Sequence, residues 1–219
     1  IIFQNGIEYF RRHKPNLSAI SLCHFITYWP DMKWGIVDNY QQPKQSYYFV
    51  RKAYQPMLIN LNFTKRRWHA DETFKGELWV INDFYESYKD CQATVTFKDE
   101  QGKELKKETV KIKEVAANSA AKFSDVSADV LSKVKTKIIV ELELRDKTGK
   151  VISNNDYFFL IGDQAGATAT FEKMRDERRA IESKYGYGNY YRFFKDLTRE
   201  DDQDYDSEIE IPRARGFEK

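Results

Sequence analysis

Between Met57 and Gly162 the chain offers seven short runs of strand character in succession, and no helical period of comparable length interrupts them. The runs are MLINLNF, KGELWVINDF, CQATVTFKD, ELKKETVKI, a short piece around AAKFS, KIIVELELRD and VISNNDYFFLIG. Alternation is clear at Leu78/Val80, at Val95/Phe97 and through Ile138, Val140, Leu142 and Leu144, so each strand must bury one face. Two links, Asp99-Glu100-Gln101-Gly102 and Asp146-Lys147-Thr148-Gly149, end in glycine between runs, as hairpin connections do. Seven strands in about 100 residues predict an immunoglobulin-like β-sandwich. Trp79 is expected at its centre. The cysteines, Cys23 and Cys91, fall in different segments and are expected as buried thiols, so the paired-cysteine mark of antibody domains is missing.

The residues before the sandwich follow another grammar. Phe3, Ile7 and Phe10 share one face of an expected helix ended by Pro15, with Gln4, Glu8, Arg11 and Arg12 on the side expected to meet water. LSAISLCHFI is a nearly continuous apolar run, as a strand covered on both faces requires. An aromatic loop follows, then a second helix with Tyr47, Val50 and Tyr54 on one face, stopped by Pro56. Helix, buried strand, loop, helix is a fragment of an α/β barrel, and one strand with two helices cannot close one. The expected class is α+β and multi-domain: 1–56 a carboxyl-terminal barrel remnant, 57–162 the sandwich, 163–195 a helical and aromatic extension, 196–219 an acidic, disordered tail. The chain opens on Ile1 and is expected to be a piece of something longer.

Composition removes several classes. Lys+Arg 36 against Asp+Glu 34 leaves a net charge of +2, so no global field draws the chain to nucleic acid. No apolar run reaches the roughly 20 residues of a membrane helix. His13, His24 and His69 have no metal-ligand spacing, and Asp202, Asp204 and Asp206 imitate a calcium loop only until Ser207, where glycine should turn it. No cofactor and no metal are expected. YGYGNYYRFF with Arg192 could stack on single-stranded nucleic acid, but few basic residues adjoin it, and docking within a parent molecule is the plainer reading.

The stretch from Lys14 to Met57 resembles glycoside hydrolase family 2, in its β-mannosidase and exo-glucosaminidase branch. Trp29-Pro30, Trp34, Asp38, Tyr40, Pro43-Lys44 and Tyr47-Tyr48 stand at the spacing found there between the last barrel strand and the helix preceding an immunoglobulin-like domain. ELWVINDF is similar to that domain's opening strand, ending in Asn-Asp. The resemblance implies a (β/α)8 barrel, retaining hydrolysis of β-linked glycosides, a carbohydrate partner, a periplasmic or secreted enzyme, and contact with the remainder of the barrel. It also departs: Cys23, Ile26 and Thr27 stand where the family has a tryptophan and an Asn-Asp pair. Retention needs two carboxylates about 5–5.5 Å apart. The family takes both glutamates from earlier barrel strands, so no catalytic residue is expected here and the chain alone should be inactive.

Substrate-binding candidates are Trp29, His24, Thr27 and Trp34. The tryptophan rings could stack on the C–H face of a sugar or simply fill core. His24 could meet a hydroxyl or be satisfied by a neighbour. Asp38 reads as a loop brace through backbone N–H groups. Two other functions remain open, a sandwich that itself binds carbohydrate on an exposed aromatic patch, and a protein-interaction domain without hydrolase activity.

Overall fold

A computed structural model describes residues 2–17, 19–26 and 35–162. It is a two-sheet, eight-strand sandwich preceded by two helices. Helix α1 spans Ile2–Arg12 and α2 spans Gln45–Ala53. The strands are β1 (Met57–Asn62), β2 (Arg67–Trp68), β3 (Phe74–Asn82), β4 (Tyr88–Lys98), β5 (Glu104–Val115), β6 (Ser119–Ala128), β7 (Lys137–Arg145) and β8 (Val151–Ile161). One sheet has the order β1-β3-β6, the other β2-β8-β7-β4-β5.

The expected alternation sets the core. Leu78, Val80, Val95, Phe97, Ile138, Val140, Leu142 and Leu144 are all buried between the sheets. Phe159 sits among Phe63 and Phe74 at 4.8 Å between ring centroids, edge to face, which aromatic pairs prefer. Both foreseen turns close on a glycine with φ of 85°, where a Cβ would be strained. In each, the aspartate at the turn's start accepts backbone N–H bonds from two and four residues on.

Four expectations need correction. The strands number eight because the two-residue β2, parallel to β8, is too short to show a period. Trp79 is half-buried on the outer face of β3, and the core tryptophan is Trp68, from the polar run RRWHADE. The apolar run before the aromatic loop is no strand. Its one ladder contact is an isolated bridge from Ile26 to Val37, and its side chains from Cys23 to Ile26 are exposed, so Cys23 is not a buried thiol whereas Cys91 is. The described residues therefore hold no barrel strand, because nothing among them supplies the two neighbours such a strand needs. The expected carboxyl-terminal helix and tail lie outside the described residues.

Fourth, α1 turns its polar side to the sandwich and not to water, while Ile7 on its other side is buried in a separate small cluster. Gln4, Asn5, Glu8, Arg11 and Arg12 lie on one face and are each less than a tenth exposed, whereas Phe3 is largely exposed. That face rests on the outside of the three-stranded sheet. Met57, Ile59 and Leu61 of β1 point to the core, so Leu58, Asn60 and Asn62 point outward. Leu58 and its cross-strand partner Ile81 are nonetheless fully buried, as only a covering layer allows.

Candidate functional site

Two places hold the chemistry of the described residues: the joint between α1 and the sandwich, and the stem of the aromatic loop.

At the joint, β1 is the edge of its sheet and lies beside the part of β8 that the two-residue β2 does not pair, and β1's outer backbone groups would be unpaired without help. Side chains of β8 supply it. Ser153 Oγ accepts the Ile59 N–H at 3.0 Å, the Tyr157 hydroxyl accepts the Leu61 N–H at 3.1 Å, and Asn155 Nδ2 donates to the Ile59 carbonyl at 3.1 Å. The same residues seat α1. Glu8 Oε1 accepts from Asn155 Nδ2 at 2.9 Å and from Gln4 Nε2 at 3.2 Å, and Glu8 Oε2 accepts from the Tyr157 hydroxyl at 2.7 Å. Gln4 also donates to Asn155 Oδ1 at 2.9 Å. One turn on, Arg12 donates to Asn60 Oδ1 at 2.7 Å and to Asn62 Oδ1 at 3.1 Å. Burial pushes the Glu8 carboxyl up, against its three donors and the Arg12 charge. It pushes the Tyr157 hydroxyl well up and the Arg12 guanidinium down.

A second clamp holds the far end of α1. Arg11 donates to the Ala53 and Gln55 carbonyls and, at 2.8 Å, to Asp83 Oδ2. Lys14 binds the other Asp83 oxygen and Asn118 Oδ1. The Asn82-Asp83 pair thus has two jobs. Asp83 grips α1, while Asn82 donates to the Glu86 and Ala116 carbonyls and caps Phe84 N–H, bracing the next turn. The sequence marked the pair and did not show what it holds.

The apolar side of α1 serves the loop stem. Ile7 packs with Ile36, Val37, Val50 and Ala53, and Ile20, Leu22 and Tyr47 lean on this small cluster. The N–H groups of Ile36 and Val37 both bond the Phe25 carbonyl, at 3.0 and 2.9 Å, so the chain leaves at Ile26 and returns at Ile36 beside its point of departure. Beyond the stem, Asp38 Oδ1 accepts the Tyr40 and Gln42 N–H bonds at 2.9 and 2.8 Å, the brace expected of it. Of the substrate-binding candidates, His24 is exposed at the stem, and Thr27, Trp29 and Trp34 lie outside the described residues. Neither Glu8 nor Asp38, the two described acids of residues 1–56, is placed for acid–base catalysis. Glu8 is sealed in the joint, and Asp38 is spent on its turn. No group of three His, Cys, Asp or Glu among the described residues could hold a metal, and no described helix is long and apolar enough to cross a membrane.

Residues 75–160 match the family described as Mannosidase Ig/CBM-like domain. The match runs from β3 through β8. An exo-β-D-glucosaminidase of Hypocrea jecorina is 28% identical over 130 residues, which is 59% of this chain and 13% of that protein. A β-mannosidase B of Aspergillus niger is 36% identical over 59 residues, 25% of this chain and 7% of that protein. Among solved structures, a β-D-mannosidase of Dictyoglomus thermophilum superposes with a TM-score of 0.57 at 26% identity, covering 72% of this chain and 18% of that one. The Amycolatopsis orientalis exo-chitosanase shares the fold with a TM-score of 0.59 at 21% identity, covering 71% and 18%. The likeness is thus wider than the Ig/CBM-like domain itself, and the chain spans less than a fifth of the length of these relatives.

Proposed function

We propose that this chain is a non-catalytic portion of a retaining, family 2-like glycoside hydrolase acting on β-linked glycosides. In this reading residues 57–162 buttress a catalytic barrel, residues 1–56 are the end of that barrel, and the loop bearing Trp29 lines the sugar pocket, with His24, Thr27 and Trp34 near it. The aromatic extension 163–195 would dock elsewhere on the parent. The observation that carries it is the two-sided use of α1. Its polar side is locked to the sandwich, and its apolar side holds the pinched stem from which the loop springs. A buttress does this work. It fixes a loop against a rigid element and leaves the apolar run at Ile20–Ile26 for neighbours that a longer polypeptide brings.

The alternative, a carbohydrate-binding sandwich, is favoured by one feature. Phe84 and Tyr85 are exposed on the loop braced by Asn82, with Tyr88 6.2 Å from Phe84 between ring centroids. Titrating the chain with β-linked glucosamine and mannose oligosaccharides, alongside an aryl β-glycoside assay, separates the readings. The buttress predicts no cleavage, and weak oligosaccharide binding that Trp29→Ala removes and Tyr85→Ala leaves alone. The reverse pattern favours the module, and cleavage by the chain unaided would overturn the non-catalytic reading.

A further inference from the structure

We propose that the Glu8 cluster makes the seating of α1 on the sandwich sensitive to pH, so that the stem of the aromatic loop is held more firmly in acid than at neutrality. The geometry has three parts. Glu8 is 1% exposed, and all its donors are neutral: the amides of Gln4 and Asn155 and the hydroxyl of Tyr157. The cation beside it, Arg12, spends its hydrogen bonds on Asn60 and Asn62. Two of the three donors, Asn155 and Tyr157, belong to β8 on the opposite side of the joint, so Glu8 cannot keep this environment unless α1 is seated.

A carboxylate released to water titrates as an ordinary glutamate. The same group in the joint titrates higher, because burial disfavours its charge more than the donors and Arg12 favour it. The seated state therefore binds the proton more tightly than the released one. Seating is strongest below the ordinary carboxylate value and weakens as pH rises through the raised value of the joint, by up to about tenfold per pH unit between the two. The other groups facing the cluster do not reverse the sign. Tyr157 stays protonated through this range, its own value pushed well up. Arg12 stays charged. Glu77 and Tyr9 act on Arg12 rather than on Glu8, and Glu77 is ionised throughout, held at about 2 by Asn62, Lys122 and Trp79. Since Ile7 of α1 packs on Ile36 and Val37, loosening α1 loosens the loop stem.

Hydrogen exchange of the α1 amides in the full chain, corrected for intrinsic rates, tests this from below the ordinary carboxylate value of 4.5 upward to neutrality. Protection of α1 relative to β3 and β7 should fall several-fold across the range in the native chain and stay level in Glu8→Gln. Protection that is flat or rises with pH in the native chain would overturn the proposal, as would an unchanged slope in the variant. Should Glu8→Gln fold poorly, a carbon-13 titration of the Glu8 carboxyl in the unaltered chain decides. A midpoint above that of ordinary glutamates supports the switch, and one at or below it ends it.

Discussion

The sandwich and the segment before it solve burial in opposite ways. Between its sheets the sandwich buries mainly apolar side chains: Phe74, Phe97, Phe159, Leu78 and Ile138 meet there with no exposure above 1%. The joint between α1 and the outer sheet face buries amides, a carboxylate and guanidinium groups instead, nearly all hydrogen-bonded. Apolar contact is the larger source of stability per unit area and is non-directional. A polar network adds only about 0.5–1.5 kcal/mol per bond, but each bond fails if the partners slip. The core sets how stable the fold is, and the joint sets where one helix, with its loop, must sit.

The largest effect should come from the core. Phe159→Ala removes a fully buried ring from contact with Phe63 and Phe74 and should cost about 3–5 kcal/mol in denaturant unfolding. Both regions should suffer together, because α1 has no seat without the sheet. An intact α1 in a molten sandwich would show that the joint stands without the core.

Glu8→Ala should come next, at about 3 kcal/mol of α1 seating, since it strands the buried donors of Gln4, Asn155 and Tyr157. Here the regions should separate. Exchange in α1 and at the stem should rise while β4 and β7 keep their protection. Equal loss in the strands would show that the joint is part of the core after all.

Asp83→Ala should be milder, about 1–2 kcal/mol. It removes the shared acceptor of Arg11 and Lys14, but Asp83 is itself more than a third exposed, which weakens the ion pairs, and Arg11 keeps two backbone carbonyls. Seating of α1 measured against salt checks it. The native chain should lose α1 protection on going to 1 M salt, and the variant should lose less.

What could be read without coordinates follows the same division. Alternation reveals a strand only when its two faces differ in polarity, so β4 and β7 were legible, with Val95/Phe97 and Ile138/Val140 pointing inward. In Leu78-Trp79-Val80-Ile81 the faces do not differ, because α1 covers the outer one, and Trp79 was assigned to the wrong side. Helical spacing has the same blind spot. It separates Phe3, Ile7 and Phe10 from Gln4, Glu8 and Arg12 without saying which set faces protein. The available signal was Asn60 and Asn62 alternating with Ile59 and Leu61, a strand whose second face is polar yet uncharged. Asp38 was legible because its brace is local in sequence, whereas the clamp of Asp83 on Arg11 spans 72 residues.

The smallest effect lies where the two modes of burial meet water. Glu77, on the outer face beside the α1 seat, accepts from Asn62 Nδ2 and Trp79 Nε1, both at 2.9 Å, and from Lys122 Nζ at 2.8 Å. Asn62 is also the acceptor for Arg12, so Glu77 holds the edge of the joint. These bonds lower its carboxyl to about 2. A depressed folded value means a contribution present above the ordinary value of 4.5 and lost as pH falls from there through about 2. Water reaches about a third of the side chain, so the contribution should be about 1 kcal/mol or less. Glu77→Gln should flatten the acid limb of the unfolding curve between pH 4.5 and 2 while leaving the Glu8-dependent change above pH 4.5 untouched. If one substitution moved both limbs, the edge and the centre of the joint would be a single titrating unit, and the separate role given to Glu8 would have to be shared along Asn62 and Arg12.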